Sequence, residues 1–188
     1  MFIDGIKLIV KPYTYGTYPG KTGAMCTDLG CLDWFRKNIK QRNVKTFLEI
    51  GTFDGIMISV LAEENKNTIF HVIDSFAPGY NTGGGHLEYF LVNNFKNDNI
   101  YLYKKTSQEA FSEITSQLDM AFIDGDHSYD CVKHDAEMVY AILSINGVIA
   151  FHDYDHPDVK RAVDEFCDSK NLKLIQDSQF VTCTKLSK

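Results

Sequence analysis

Three stretches of the chain combine residue types and spacings that could bind a nucleoside and do chemistry beside it. The first is Glu49-Ile50-Gly51-Thr52-Phe53-Asp54-Gly55. Gly51 and Gly55 let a backbone turn tightly and approach a ligand, and a helix starting there offers its free amides. Asp74 follows about twenty residues later, where a carboxylate can accept hydrogen bonds from both hydroxyls of an adenosine ribose. This pair fits a dinucleotide and S-adenosylmethionine alike. Phe53 stands where a dinucleotide turn needs glycine, and Asp54 puts negative charge where a pyrophosphate would lie. A phosphate-free cofactor with a sulfonium and an ammonium group suits this acidic turn better, with Glu49 and Asp54 as electrostatic partners.

The other two stretches are Phe122-Ile123-Asp124-Gly125-Asp126-His127-Ser128-Tyr129 and Phe151-His152-Asp153-Tyr154-Asp155-His156-Pro157. Each follows an apolar run, so both tips are expected at one carboxyl edge, where carboxylates and imidazoles converge. His127 is the candidate general base, because an imidazole titrates near working pH. A histidine that only holds its loop or caps the next helix fits as well. Asp126 is placed to orient it.

Strands must carry these tips. Thr46–Ile50, Thr68–Ile73, Ile100–Tyr103, Leu118–Ile123 and Gly147–Phe151 are short apolar runs rich in β-branched and aromatic residues. Between them, Leu87, Phe90, Leu91 and Phe95 recur at helical spacing, as do Val132, Ala136, Val139, Tyr140 and Leu143, and then Val159, Ala162, Val163, Phe166 and Cys167. Thr106 with Glu109 forms a capping-box pattern, Ser128 can cap the next helix, and Pro157 suits a first helical turn. The alternation predicts a Rossmann-like, doubly wound α/β fold. Two further strands, near Leu172–Ile175 and Phe180–Cys183, are too close for a parallel crossover, so the expected seven-stranded sheet is mostly parallel with one antiparallel strand near the C-terminus. Asp28–Ile39 reads as a helix before the first strand, and residues 1–44 as an N-terminal cap and helix on a single domain spanning 1–188. Tyr13, Tyr15 and Tyr18 could wall an acceptor pocket or make a dimer contact, and Ala77–His86 could form a lid or a plain surface loop.

With 188 residues, 44% hydrophobic and 23% charged, the chain can bury one α/β core. Its net charge of −6 argues against a surface made to hold nucleic acid. No apolar run approaches a membrane span, and the first residues lack the plan of a signal peptide, so a cytoplasmic protein without membrane partners is expected. The five cysteines, Cys26, Cys31, Cys131, Cys167 and Cys183, include no C-x-x-C pair and read as free thiols.

From about Lys45 to Phe166 the chain resembles class I S-adenosylmethionine-dependent methyltransferases, on its glycine turn together with Phe-Ile-Asp-Gly-Asp-His-Ser-Tyr and the later Phe-His-Asp-Tyr. The branch is similar to macrocin-type sugar O-methyltransferases and cephalosporin hydroxylase-like proteins, and more distantly to catechol O-methyltransferases. The resemblance implies that Glu49, Gly51 and Gly55 hold the amino-acid half of S-adenosylmethionine and Asp74 its ribose, with Thr52, Asp54 and Asp124 also binding the cofactor and Asp124 at the reacting end. Ser107 falls at the adenine end, although helix capping accounts for it equally well. In metal-dependent members, Asp124 and Asp153 would hold magnesium or another divalent ion, which lowers the acceptor hydroxyl's pKa and directs it at the methyl group. Tyr154 departs from the catechol pattern, which has an asparagine there. His152 could supply the missing ligand only if the strand turns, and an imidazole suits transition metals better than magnesium.

The expected activity is O-methylation of a small hydroxylated acceptor such as a sugar or natural product, with a homo-oligomer left open. Two alternatives are an NAD-dependent oxidoreductase and a catalytically silent S-adenosylmethionine-binding protein.

Overall fold

The computed structural model describes residues 29–77, 86–177 and 180–187, together with Gly20 and the backbone of 2–3 and 6–7. Tyr13, Tyr15, Tyr18, Cys26 and nearly all of the 77–86 loop lie outside the described residues. Strands β1 (Phe2–Ile3) and β2 (Ile6–Lys7) form a separate antiparallel pair.

The main sheet has seven strands. They are β3 (Thr46–Ile50), β4 (Ile69–Ile73), β5 (Ile100–Tyr103), β6 (Leu118–Ile123), β7 (Leu143–Phe151), β8 (Ile175–Asp177) and β9 (Phe180–Thr184). Their spatial order is β5-β4-β3-β6-β7-β9-β8. The first five in chain order pair in parallel, whereas β9 is antiparallel to both β7 and β8. A single reversed strand therefore stands near the C-terminus, as the short 176–179 connection requires. Strand order reverses at β3, whose neighbours are β4 and β6, so the carboxyl ends of β3 and β6 open the crevice where such sheets bind ligands.

Helices cover both faces. Along β3, Phe47 joins one apolar cluster and Leu48 and Ile50 the other, as alternation across a strand requires. Helices α1 (Leu29–Arg42), α2 (Ile56–Glu64) and α3 (His86–Asn94) lie on the Phe47 side. The short α4 (Ser107–Ala110), α5 (Tyr129–Ile142) and α6 (Pro157–Lys170) lie on the Leu48 side. Phe35, Phe47, Phe70 and Phe122 are fully buried; each contributes roughly 1.5–3 kcal/mol by leaving water.

Four local expectations are corrected. Helix α1 runs to Arg42, three residues past the expected end. Leu143, expected on the stripe of α5, is the first residue of β7 and remains buried in the same core. Strand β7 thus starts before Gly147, with a register shift beside it and Asn146 at φ +66°. Strand β8 begins at Ile175, because Leu172 and Leu174 pack against the core before pairing starts.

The largest difference concerns α3. Of its predicted stripe only Phe90 is buried, whereas Leu91 is 42% and Phe95 66% exposed. Asparagines take the inner face: Asn93 Nδ2 donates to the Asp54 carbonyl at 2.8 Å and Asn94 Nδ2 to the Gly55 carbonyl at 3.2 Å. The Ser59 hydroxyl returns a bond of 2.7 Å to the Asn93 carbonyl. Hydrogen bonding to the start of α2, rather than apolar burial alone, decides which way α3 faces.

Candidate functional site at the carboxyl edge of the sheet

The glycine turn leaves β3 and enters α2. Gly51 has φ +81°, and a Cβ there would stand 2.1 Å from the Asp124 carbonyl oxygen, so glycine lets the turn touch the tip of β6. Gly55, at φ +67°, is the N-cap residue of α2 and faces the Phe90 ring and the Asn94 amide of α3. Its glycine character therefore serves packing against α3. Asp54 is buried beside it.

Glu49 is only 2% exposed at the end of β3. Burial pushes its carboxyl up to about 8; the nearby Thr52 side chain pulls it down, while the charges of Asp124 and Asp74 push it further up. Among the described residues neither Glu49 Oε2 nor Thr52 Oγ1 reaches hydrogen-bond geometry with a partner, although both are fully enclosed. An enclosed carboxyl and hydroxyl thus stand side by side at the turn, where a cationic, hydrogen-bonding ligand would find acceptors.

Asp74 is bound to the turn itself. Its Oδ2 accepts the Thr52 N–H at 2.9 Å and the Phe53 N–H at 3.2 Å, and its Oδ1 accepts the Phe76 N–H at 2.7 Å. A carboxylate has about four lone-pair sites, so a ribose hydroxyl would find its free acceptor on Oδ1.

Ser107 opens α4 directly after Thr106, whose N–H and hydroxyl both donate to Glu109 Oε2, at 3.1 and 2.9 Å. The capping task thus falls to Thr106. The Ser107 side chain lies instead beside buried Asp135, whose carboxyl is raised to about 6 by burial, with Ser107 and His134 pulling it down and Asp126 pushing it up. Asp135 Oδ1 has no hydrogen-bond partner among the described residues. Nothing in the sequence singles out Asp135: one residue before the stripe position Ala136, it reads as surface.

The tips of β6 and β7 meet. Asp124 follows β6, its N–H donating to the Ile50 carbonyl at 2.9 Å, and His152 follows β7, its N–H donating to the Ile123 carbonyl at 3.1 Å. Asp153 adopts φ +49°, a left-handed conformation that turns the chain and brings His152 and Asp153 to the same side. His152 Nδ1 lies 2.9 Å from Asp153 Oδ2 and 3.3 Å from Asp124 Oδ1. His127 Nε2 lies 3.1 Å from Asp153 Oδ2 and 3.9 Å from Asp124 Oδ1. Donor atoms of Asp124, His152 and Asp153 fall within 4.8 Å of one another, a grouping compatible with a metal ion.

The Asp124 and Asp153 carboxylates raise His127 to about 10 against the effect of burial; Asp153 is the closer of the two and has the better claim to the larger share. Burial disfavours charge on His152, but the same carboxylates outweigh it and raise that ring to about 10 as well. The two imidazoles hold Asp153 well below the usual carboxylate range. Asp126, predicted to orient His127, has its Oδ1 on the Ser128 N–H at 2.7 Å, at the start of α5. Tyr154 turns towards α6, where its hydroxyl donates to Asp164 Oδ1 and accepts from Lys160 at 2.9 Å.

Among the described residues no helix is long and apolar enough to cross a membrane. Cys31, Cys131, Cys167 and Cys183 are free thiols.

Residues 48–154, more than half of the chain, match the Methyltransferase domain family. An uncharacterised protein of Acanthamoeba polyphaga mimivirus is 28% identical over 141 residues, covering 68% of this chain; the chain spans 62% of that relative's length. Among solved structures, the O-methyltransferase NovP superposes with a TM-score of 0.71 at 17% identity, covering 85% of this chain and 81% of its own. The O-methyltransferase TomG from Streptomyces achromogenes, solved in complex with S-adenosylmethionine, gives 0.69 at 14% identity, covering 87% and 82%. At these identities the structural likeness establishes a shared fold.

Proposed function

We infer that this chain, which belongs to the Methyltransferase domain family, transfers a methyl group from S-adenosylmethionine to an oxygen of a small hydroxylated acceptor. The observation that carries the reading is Glu49: a carboxyl group enclosed at the end of β3 beside the buried Thr52 hydroxyl, with its pKa pushed up to about 8 by burial and no cationic side chain among the causes that shift it. A cation seated there supplies the missing charge and lets Glu49 ionise, which the cofactor's ammonium can do. The Gly51 turn lies against Asp124, so a ligand held along residues 49–55 has its reactive end beside the tips of β6 and β7. Asp74 Oδ1 accepts from the ribose, and Ser107, positioned by Asp135, marks the adenine end.

At the reacting end Asp124 and Asp153, with His152 in contact with both, would hold a divalent ion. The ion would lower the acceptor hydroxyl's pKa and fix its direction. His127 borders the same carboxylates and is the imidazole placed to take the acceptor's proton once their charge is shared with a cation. The in-line geometry of methyl transfer then depends on Asp124, which touches both the cofactor turn and the acceptor side. The fold shared with the O-methyltransferases NovP and TomG supports a hydroxyl oxygen as acceptor, for which we propose a sugar or other natural-product hydroxyl, in a protein without nucleic-acid or membrane partners. We place this chemistry in the cytoplasm, in a single domain.

The test is transfer of isotopically labelled methyl groups to a panel of sugar, nucleotide-sugar and catechol hydroxyls. Labelled product that disappears in Asp124→Asn supports the reading. Saturable cofactor binding with no labelled product across the panel would make the chain a binding protein.

A further inference from the structure

We propose that His152 is itself a cation ligand through Nδ1, so that the centre at the tips of β6 and β7 selects an imidazole-accepting transition ion such as cobalt(II), iron(II) or zinc(II) over magnesium. This rests on the divalent-cation reading above and adds the identity of the third donor and of the metal class.

The geometry of His152 points this way. The ring is 7% exposed, and its Nε2 has no hydrogen-bond partner among the described residues. Yet Nδ1 stands 2.9 Å from Asp153 Oδ2 and 3.3 Å from Asp124 Oδ1. Three donor atoms so close, with one imidazole nitrogen facing two carboxylate oxygens at once, converge on a point that a cation can share. A cation bound there would displace the pairing of Nδ1 with the two carboxylates and be shared by all three donors.

The chain is bent to bring this about. Successive residues of an extended strand face opposite ways, so His152 and Asp153 would diverge in a regular β7. The left-handed conformation of Asp153, at φ +49°, is an unfavourable one for a residue with a Cβ, and it aims both side chains at Asp124. The resulting set is two carboxylates and one imidazole. An all-oxygen shell favours magnesium or calcium, whereas an imidazole in the shell moves preference towards iron, cobalt, nickel and zinc. Tyr154, the next residue, is occupied with Lys160 and Asp164 and offers no competing oxygen.

The experiment uses the full chain, stripped by chelation and dialysed, and titrated calorimetrically with cobalt(II) or magnesium. Proton NMR of the cobalt(II)-loaded protein then looks for a strongly shifted exchangeable imidazole resonance. The expected result is such a resonance in the wild type, retained in His127→Ala and lost in His152→Ala. His152→Ala weakens cobalt(II) by at least about tenfold while magnesium changes by less than about threefold. His152→Asn, which replaces the nitrogen donor by an amide oxygen, narrows the cobalt-to-magnesium preference and guards against a variant that fails to fold. A folded His152→Ala or His152→Asn protein with wild-type cobalt(II) affinity and an intact shifted resonance overturns the proposal. If both ions still bind and Asp124→Asn alone abolishes them, the cation reading stands and the role of His152 falls. If no divalent ion binds the wild type, both fall together.

Discussion

The Cα of Gly51 packs against the carbonyl of Asp124 so closely that a Cβ added to it would stand 2.1 Å from that oxygen. One backbone contact therefore ties the turn proposed to hold the cofactor to the tip proposed to do the chemistry.

Gly51→Ala must displace the Asp124 backbone and hold alanine at φ +81°. We expect a loss of at least about 2 kcal/mol in denaturant unfolding. Cofactor affinity and turnover should fall together, because both ends of the site meet at this contact. Unchanged stability would mean that the two loops separate easily.

Asn93 should behave as part of the site although it touches none of the proposed ligands. Asn93→Ala leaves the buried Asp54 carbonyl without its 2.8 Å donor, at a cost of about 1–3 kcal/mol. Chemical denaturation reads the cost. Weaker cofactor binding by a still-folded variant would show that α3 holds the glycine turn in shape.

The Asn93 bond also marks the limit of what the residues disclose in order. The strand runs ending in Glu49, Asp74, Asp124 and Asp153 are legible because β-branched and aromatic clusters stop at an acid, and topology then brings those acids to one edge. The face of α3 is not legible: Leu87, Phe90, Leu91 and Phe95 form an apolar stripe, yet the partner surface at the start of α2 presents carbonyls that asparagines satisfy. The meeting of His152 with Asp153 is hidden for another reason. It depends on one positive φ at an aspartate, which no residue pattern requires. Likewise the approach of Ser107 to Asp135 brings together elements 28 positions apart in the sequence, and no local pattern signals it.

Asp135 sets a stability dependence on pH. Its folded pKa, raised to about 6, exceeds the usual unfolded value near 3.9, so the folded state binds the proton more tightly. That contribution is complete below about pH 4 and is lost as pH rises through 6. Asp135→Asn keeps a side chain able to meet Ser107 without a buried charge. It should be more stable than wild type by about 1–2 kcal/mol at pH 7.5, with the advantage vanishing near pH 4. Thermal unfolding of both proteins across this range checks it, and an equal gain at both ends would contradict the cause given.

Glu49 follows the same sign in the ligand-free protein. With a folded pKa of about 8 against an unfolded value near 4.3, its contribution is present at pH 4 and lost as pH rises through 8. Glu49→Gln should flatten that part of the profile and raise the melting temperature at pH 8.5 relative to wild type. Added S-adenosylmethionine should reverse the ranking, because the bound cation favours ionised Glu49. Parallel wild-type and variant profiles would show that this carboxyl does not titrate in the range.

The most direct measurement is equilibrium binding of S-adenosylmethionine to the full chain and to Glu49→Gln at pH 7.5, with NAD as competitor. We expect saturable binding to one site in the wild type, no displacement by NAD, and a loss of at least about tenfold in the variant, the effect of removing one charge-assisted contact. Absence of saturable binding, displacement by NAD, or equal affinity of the two proteins would contradict it.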